Sequence, residues 1–370
     1  MLKIWVWYFL KKFYSRIEIT GLHLLPKDGP VLLIANHRNA LMDALILGCI
    51  SPRPISFLAR ASAFKPPFAS FLHYINMLPV YRERDGWDSI EKNSAIFNEC
   101  SDRLAGHGMI ALFPEGMHHQ EEYLYPLKKG FARIGYEALM RDVPSVYVQP
   151  IGINYEKIWA YNRRLYLRFG TGYELTWPAD FSEKDLPHWL NEAKQKAEQA
   201  IRNVIIDMPP KPEYREAEKV FSNWRKSWMR IWYERWHDHF EEEKKYEKDP
   251  SGSQLSSHIY EEKFADPYGI RRLWILGVVL FSPAIVAMGL LLILAKFIAG
   301  KMVKELPFFS TAYFMIWMLL CTFLFAIIFI YSFIVFPWYI ALLIIAITLA
   351  MFSGGARTMN RIGLWFRDRK

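Results

Sequence analysis

A histidine and an aspartate lie close together in the segment LLIANHRNALMDALIL, residues 32–47. His37 precedes Asp43 by six positions, and asparagines stand at positions 36 and 39. An imidazole that donates to a carboxylate through one nitrogen keeps its other nitrogen as a base. Such a base can take the proton of an attacking hydroxyl. Residues of these types also cap helices, so the pair alone leaves both roles open.

The spacing of the pair restricts the local structure that can bring the two side chains together. Residues of a regular helix turn by about 100° each, so six steps end about 120° short of two full turns. On one helix, His37 and Asp43 would therefore not share a face. An apolar run, the turn NHRN and the helical stretch Ala40–Ile50 follow one another here. This order predicts His37 in the turn and Asp43 on the helix.

Apolar runs of strand length alternate with helical segments around this pair, which predicts a layered α/β domain. Two strands are expected within residues 18–36, on either side of the turn PKDGP. Further strands are expected in PISFLAR, MLPVYR, GMIALFPEG, PSVYVQPIGINYE and RLYLRFGTGYEL, the last as a single strand. Helices are expected at Trp87–Ala105 and in LKKGFARIGYEALMR.

The composition favours a membrane environment. The chain has 370 residues, 52% of them hydrophobic, and a formal net charge of +9. A basic excess beside long apolar segments favours contact with anionic headgroups or phosphates, and no nucleic-acid-binding motif accompanies it. The three cysteines, Cys49, Cys100 and Cys321, lack metal-site spacing and favour a reducing compartment. We therefore expect membrane lipids as partners and no nucleic acid.

The longest apolar segments lie near the C-terminus. Residues 273–295 and 306–356 carry no charged side chain, and a helix crosses a bilayer with about 20 apolar residues. Basic residues flank these segments on both sides, so the positive-inside rule leaves their orientation open. The sequence predicts a membrane domain at 271–370 with a basic tail and about three transmembrane segments, at 273–295, 308–333 and 338–356.

Two further segments are expected to be helical. Residues 1–16, MLKIWVWYFLKKFYSR, do not fit a signal peptide and favour an amphipathic helix on the membrane surface. The alternative is an ordinary first helix that packs on the core. Residues 185–270 are predicted to be a charged helical extension and linker. Its apolar stripe recurs at spacings of three and four, at Trp224, Trp228, Ile231, Trp232 and Trp236.

Four motifs, taken in order, resemble those of a known family. They are Asn36-His37 followed by Asp43, the strand LPVYR ending in Arg82, the block FPEG at residues 113–116, and the later strand VYVQPIGINY. Together they resemble the phospholipid/glycerol acyltransferase (PlsC-like) superfamily, within an acyltransferase domain at 17–184. The resemblance implies a mixed sheet flanked by helices. It also implies transfer of a fatty acyl group from a thioester to a glycerophosphate hydroxyl.

Two features depart from the usual pattern of that family. Five residues separate His37 from Asp43 where most members have four, and FPEG is followed by MHH without the usual arginine. Both features are similar to a branch of fungal-type glycerol-3-phosphate acyltransferases and their bacterial relatives. That branch also has counterparts of Asn39, of His119 and of LYPLKKG.

The resemblance implies a role for each motif residue. His37 is expected to be the general base, and Asp43 is expected to orient it. Arg82 offers a bidentate fork to the acceptor phosphate, with a surface ion pair as the alternative, and Lys128 or Lys129 can replace the missing arginine. Substrate binding is expected at Asn36, Asn39, Arg82, Glu115, Gly116, His119 and Lys128.

Direct attack on a thioester requires neither a metal nor a bound cofactor, so we expect none besides acyl-CoA or acyl-ACP as co-substrate. The cluster of His118, His119, Glu121 and Glu122 lacks the spacing of a metal site. The expected function is a membrane O-acyltransferase of phospholipid biosynthesis that converts 1-acyl-sn-glycerol-3-phosphate to phosphatidate, with its catalytic domain on the cytoplasmic face. A glycerol-3-phosphate acyltransferase and a non-catalytic lipid-binding scaffold remain the alternatives.

Overall fold

The computed structural model describes residues 2–64, 66, 69–81, 89–119, 121–141, 143–158, 160–178, 181–207, 278, 280–303 and 306–367. Arg82, the stripe of residues 224–236 and the beginning of the first expected transmembrane segment lie outside the described residues. The chain divides into two compact units. The first comprises residues 1–209 with 294–320, and the second comprises residues 210–293 with 321–370.

The first unit contains one mixed β-sheet. Its described strands are β1 (Arg16–Thr20), β2 (Val31–Ala35), β3 (Ser56–Arg60), β4 (Met77–Val80), β5 (Met109–Leu112), β6 (Val146–Tyr155), β7 (Arg164–Phe169) and β8 (Tyr173–Leu175). Their order is β1-β7-β6-β2-β5-β3-β4, with β8 beside β6. β2 pairs in parallel with β5 and β6, whereas β6 pairs antiparallel with β7 and β8.

Helices flank this sheet and bury its central strand on both faces. The described helices before residue 210 are α1 (Leu2–Phe13), α2 (Ala40–Ile50), α3 (Ala69–Tyr74), α4 (Ser89–Ala105), α5 (Gly130–Leu139) and α6 (Leu186–Arg202). Leu32 and Ile34 of β2 contribute to a core that also contains buried side chains of α4, α5 and α6. Leu33 lies on the opposite face and is also buried. The predicted α/β class, a mixed sheet flanked by helices, is confirmed.

One strand prediction was wrong. The segment RLYLRFGTGYEL was expected to be a single strand, but it forms β7 and β8, which pair with different parts of β6. The break between the two strands, residues 170–172, contains two glycines. A Cβ atom on Gly172 would lie 2.4 Å from the ring of Tyr147, so the backbone approaches this ring more closely than any side chain allows. The short helix α3 was also missed.

Helix α1 has one buried and one exposed face. Phe9, Leu10 and Phe13 are fully buried, whereas Leu2 and Ile4 are exposed. The buried face packs against α2 and against aromatic side chains farther along the chain. These contacts are those of a core-packed helix, and a place for the exposed face on a membrane surface stays a prediction.

Among the described residues, three C-terminal helices are long and apolar enough to cross a membrane. They are α7 (Ser282–Met302), α8 (Leu306–Val335) and α9 (Trp338–Arg367). α7 continues seven residues beyond the expected end at 295 and includes Lys296 and Lys301. Lysine is a good helix former, and the Lys301 ammonium lies 4.4 Å from the centroid of the Phe297 ring, so these charges do not end the helix.

The beginning of α8 belongs to the first unit. Ser310, Phe314 and Trp317 recur at spacings of four and three and are all fully buried. The Phe314 ring lies 5.4 Å from that of Phe13, and the Trp317 ring lies 5.4 Å from that of Phe9. These aromatic contacts fix the first half of α8 against α1.

Candidate active site

Three parallel strands bring three of the predicted motifs to one edge of the sheet. His37 follows β2 by two residues, Phe113 directly follows β5, and Tyr155 is the last residue of β6. Because β2 pairs in parallel with both β5 and β6, the carboxyl ends of all three strands meet at this edge. In α/β sheets, ligand sites commonly lie beyond the carboxyl ends of parallel strands.

His37 and Asp43 lie in hydrogen-bond contact, in the turn and on the helix where the sequence predicts them. Nδ1 of His37 lies 2.9 Å from Oδ2 of Asp43. Since an ionised carboxylate only accepts hydrogen bonds, this contact favours the tautomer with the proton on Nδ1, which leaves the lone pair on Nε2. The His37 side chain is 17% exposed and that of Asp43 is fully buried, so the imidazole is the accessible member of the pair.

Asp43 accepts three further hydrogen bonds. The backbone N–H groups of Arg38 and Asn39 donate to Oδ2 over 3.0 and 2.9 Å. The hydroxyl of Tyr155 donates to Oδ1 over 2.5 Å. The carboxylate is therefore held from the turn before it and from the end of β6, and its orientation toward His37 is fixed.

Burial and charge keep Tyr155 neutral. Its pKa is raised well above the usual value, first because the hydroxyl is buried and then because the charge of Asp43 is close. The ring of Tyr14 lies 6.3 Å from that of Tyr155, and burial also raises the pKa of Tyr14. Tyr155 is thus a hydrogen-bond donor to Asp43 at any physiological pH.

The FPEG block shapes the turn that carries His37. The ring of Phe113 stacks on the His37 imidazole, with centroids 4.1 Å apart and an angle of 11° between the planes. Glu115 is buried and accepts from the backbone N–H groups of His37, over 2.7 Å, and Tyr125, over 2.9 Å. The His119 ring hydrogen-bonds to the same carboxylate through Nε2. Glu115 therefore joins the turn after β2 to the segment after β5.

Gly116 and Lys128 are neighbours at the exposed end of this block. Gly116 has a φ of +71°, in the left-handed region that favours glycine, and a Cβ there would lie 3.3 Å from Cγ of Lys128. The backbone N–H of Lys128 donates to the carbonyl of Pro114 over 2.6 Å, and its side chain is exposed. The cationic side chain of Lys128 therefore lies beside the backbone of Gly116, which has no side chain to cover the turn.

A buried ion pair adds a second link between the two segments. The Arg38 guanidinium pairs with the carboxylate of Glu122, and these side chains are only 4% and 18% exposed. The backbone N–H of His119 donates to the carbonyl of His37 over 3.2 Å. The His118 ring lies edge-on to the His37 ring at 5.8 Å. The segment after FPEG is therefore fastened directly against the His37 turn.

The two predicted asparagines are buried and bonded to the protein. The Asn36 amide donates to the carbonyl of Ile153 over 3.0 Å and accepts from the N–H of the same residue over 2.8 Å. Nδ2 of Asn39 lies 3.4 Å from the carbonyl of Ile158 and 3.2 Å from Oγ of Ser310. Asn36 thus ties the end of β2 to β6, and Asn39 ties the turn to helix α8.

The structure joins five predicted site residues in one hydrogen-bonded network, and these are His37, Asp43, Asn39, Glu115 and His119. Asn36, Gly116 and Lys128 lie in the adjoining turns, and Arg82 lies outside the described residues. In the part of the chain that the structure describes, no group of three or more His, Cys, Asp or Glu side chains is placed to hold a metal ion.

Sequence reasoning missed Tyr155, Arg38 and Ser310. Tyr155 had a signal, because it ends a buried strand that was already expected to lie in the sheet. Arg38 stands next to His37, but nothing in the sequence indicates that its partner is Glu122, 84 positions away. Ser310 lies in an apolar segment whose composition suggests only a membrane span.

Comparisons with known proteins include a match to the part of the chain that contains the predicted site residues. A family model described as Acyltransferase matches residues 16–154. An uncharacterized acyltransferase of Schizosaccharomyces pombe is 34% identical over 116 residues, which are 30% of this chain and 16% of that protein. A 1-acyl-sn-glycerol-3-phosphate acyltransferase of Chlamydomonas reinhardtii is 26% identical over 132 residues, which are 36% of this chain and 38% of that protein.

The matched regions are partial. The chain spans less than two-fifths of the length of either relative. The crystal structure of PlsC, a 1-acyl-sn-glycerophosphate (LPA) acyltransferase from Thermotoga maritima, superimposes with a TM-score of 0.37 and 20% identity, over 54% of this chain and 77% of that chain. So low a score supports no residue-by-residue comparison.

Proposed function

We propose that this chain is a glycerolipid O-acyltransferase, starting from the Acyltransferase family model that matches residues 16–154. The resemblance to the phospholipid/glycerol acyltransferase superfamily that the motifs indicate is confirmed by the family match. The proposed reaction transfers a fatty acyl group from acyl-CoA or acyl-ACP to a glycerophosphate hydroxyl, with 1-acyl-sn-glycerol-3-phosphate as the preferred acceptor and no bound cofactor. One relative is named for this acceptor.

The contact between His37 and Asp43 carries the proposal. Their atoms Nδ1 and Oδ2 are 2.9 Å apart, and Asp43 is buried and bonded on both oxygens. A structural cap would need neither a fixed tautomer nor a partly exposed imidazole. Both are requirements of a general base.

The proposed step needs only the imidazole and the two substrates. Nε2 of His37 takes the proton of the acceptor hydroxyl while its oxygen attacks the thioester carbonyl carbon. When the tetrahedral intermediate collapses, the C–S bond breaks and the new ester C–O bond remains. The thiolate that leaves receives the proton from the His37 imidazolium, so the base is restored without a covalent intermediate on the protein. The positive charge that forms on His37 during the step lies next to the carboxylate of Asp43.

The acceptor phosphate requires cations near this base. Lys128 beside Gly116 supports phosphate binding, since its ammonium is exposed and the turn leaves the backbone open to a ligand. Arg82 is proposed as the second cation on sequence grounds. Asn36, Asn39, Glu115 and His119 are proposed to shape the substrate site through the turns that they hold.

Three apolar helices support membrane association, which suits an amphiphilic acceptor. A lysophospholipid that stays in the bilayer surface can present its headgroup and free hydroxyl to a site on the membrane boundary. We place the catalytic domain on the cytoplasmic face, because acyl-CoA and acyl-ACP are cytoplasmic donors.

The test is a matrix of substrates with the purified full chain in lipid nanodiscs. Labelled acyl-CoA and acyl-ACP are each offered with 1-acyl-sn-glycerol-3-phosphate, with glycerol-3-phosphate and with a lysophospholipid that bears a larger headgroup. The proposal expects labelled phosphatidate as the main product. Labelled lysophosphatidate from glycerol-3-phosphate would instead support the alternative favoured by the five-residue spacer. No product in any combination, with lipid binding retained, would indicate a scaffold and contradict the enzyme.

A further inference from the structure

Helix α8 contributes a polar side chain to the network that holds the candidate base. Ser310 lies in the first turns of this helix and is fully buried. Its Oγ accepts a hydrogen bond from Nδ2 of Asn39 over 3.2 Å. The two residues are 271 positions apart, and both belong to the first compact unit.

This contact differs from those of other hydroxyls in the apolar helices. Ser332, Thr348 and Thr358 each donate to the carbonyl four residues earlier in their own helix. Such bonds satisfy the hydroxyl locally and connect nothing outside the helix. The hydroxyl oxygen of Ser310 instead accepts from the catalytic turn.

Asn39 transmits the contact to the carboxylate. Its side-chain amide is held between Ser310 and the carbonyl of Ile158, and its backbone N–H donates to Oδ2 of Asp43 over 2.9 Å. The same oxygen of Asp43 binds Nδ1 of His37. Asn39 is therefore hydrogen-bonded to α8 through its side chain and to Asp43 through its backbone, and Asp43 is bonded to the imidazole.

Packing on both sides of Ser310 holds this part of α8 in place. Phe308, two residues earlier in the same helix, lies edge-on to the His118 ring at 5.0 Å. Phe314 and Trp317, one and two turns later, contact Phe13 of α1. Ser310 is thus presented to Asn39 by a helix that is anchored before and after it.

We propose that Ser310 is a positioning residue of the active site, and that the first turns of α8 are part of the catalytic unit. Ser310 fixes the Asn39 side chain, and the fixed turn holds Asp43 and His37 in the geometry required for proton transfer. A helix whose composition indicates only a membrane span thereby contacts the turn that carries the base. The inference rests on the proposed function for its kinetic part, but its structural part can be measured without turnover.

The experiment compares Ser310→Ala with two matched variants of the full chain in nanodiscs. Ser310→Thr retains the hydroxyl oxygen, and Ser332→Ala removes a hydroxyl that donates to a carbonyl of its own helix. For Ser310→Ala we expect kcat to fall about five- to tenfold with KM within about twofold of wild type, since one positioning hydrogen bond is lost. Ser310→Thr should recover most of kcat, and Ser332→Ala should match wild type.

A second readout follows His37 without substrate. Diethylpyrocarbonate modifies accessible imidazoles, and mass spectrometry of the His37 peptide gives the labelling rate at a fixed pH. A loosened turn should label His37 about threefold faster in Ser310→Ala, while Ser310→Thr and Ser332→Ala should label at the wild-type rate. Equal kcat and equal labelling in Ser310→Ala and wild type would overturn the proposal. An inactive wild type with faster labelling in Ser310→Ala would refute the proposed function and leave the positioning role standing.

Discussion

Individual side chains around Asp43 explain how a buried carboxylate can serve an accessible imidazole. Four donors reach its two oxygens, and each comes from a different residue of the turn or of β6. The carboxylate therefore has little freedom to rotate, and the imidazole that it binds keeps one tautomer. Besides the His37 imidazole, Tyr155 is the one of these four donors that reaches Asp43 through its side chain, so it can be altered without changing the base or the backbone of the turn.

Tyr155→Phe should weaken both the site and the fold. The variant leaves Oδ1 of buried Asp43 without its 2.5 Å donor, and a hydrogen bond to a charged group contributes about 1.5–3 kcal/mol. We expect turnover to fall about tenfold and the midpoint of thermal unfolding to fall with it. Tyr173→Phe is the matched control, because the Tyr173 hydroxyl has no hydrogen-bond partner among the described residues. Equal effects of the two variants would argue against a role for Tyr155.

Tyr155 also predicts a loss of stability in alkali. Its pKa in the folded chain is raised above the usual value of 10.0, so the neutral form is favoured by folding. The associated stability is fully present below pH 10 and is lost as the pH rises further, by about 1.4 kcal/mol per pH unit. Thermal unfolding at pH 8 to 11 should show a shallower alkaline decline for Tyr155→Phe than for wild type. Parallel declines would contradict the assigned burial.

The contact between His37 and Asp43 was predictable from the local sequence, but the distant side chains that hold the pair in place were not. An apolar run, a turn and a helical stretch suffice to place His37 and Asp43 in contact, because the strand, the turn and the helix together span only residues 31–50. Tyr155 and Glu122 reach the same turn from positions 112 and 84 residues away from their partners. Such contacts depend on strand order, which a single sequence does not specify.

The parallel alignment of β2, β5 and β6 and the position of the start of α2 bring the side chains around Asp43 together. Ala40, the first residue of α2, has a φ of +40°, in a region that residues with a Cβ rarely adopt. It lies inside the five-residue spacer between His37 and Asp43. We infer that the left-handed residue redirects the chain so that the longer spacer still turns Asp43 toward His37.

Ala40→Gly and Ala40→Val should change the stability of the fold in opposite directions. Glycine adopts this backbone conformation without strain, so Ala40→Gly should retain activity and raise stability by about 1 kcal/mol. Valine adds a β-branch at a position that is 4% exposed, and Ala40→Val should lower stability by at least about 2 kcal/mol. Chemical or thermal unfolding of both variants checks the prediction. A stable, fully active Ala40→Val would show that the left-handed conformation is not required.

Element boundaries were predictable where the pattern was long and failed where it was interrupted. α2 begins and ends where its apolar spacing predicts, at Ala40 and Ile50. The alternation that continues through the glycines predicts β7 and β8 as one strand, and their pairing with different parts of β6 separates them. α3 has six residues, too few to show helical periodicity.

The chain as a whole joins a mixed α/β sheet to apolar helices of membrane-spanning length. Composition alone predicted three such helices, but it could not show that α8 begins inside the first compact unit. The first half of α8 packs into this unit through buried side chains on one face of the helix, of which Trp317 is the largest. Phe314 and Trp317 on this face contact Phe13 and Phe9 of the N-terminal helix α1.

Trp317→Ala should therefore destabilise the first compact unit and not merely the C-terminal apolar helices. Trp317 is fully buried and contacts Phe9, Phe13 and Tyr161, and removal of a buried tryptophan costs about 3–5 kcal/mol. Trp338→Ala, at a side chain that is 68% exposed, should change stability by less than about 0.5 kcal/mol. Thermal unfolding in detergent and proteolysis of residues 1–209 report the difference. Unchanged proteolysis in Trp317→Ala would contradict the packing described for α8.

The most direct measurement is the turnover of His37→Ala in the acyl-transfer assay. The matched control is His107→Asn, which alters an exposed histidine whose Nδ1 lies 3.4 Å from Asp28 and whose φ of +60° asparagine tolerates. Loss of a general base should lower kcat by about 10³-fold or more, with the fold retained, while the control stays within about twofold of wild type. A folded His37→Ala enzyme that keeps more than about a tenth of wild-type turnover would contradict the assignment of His37 as the base.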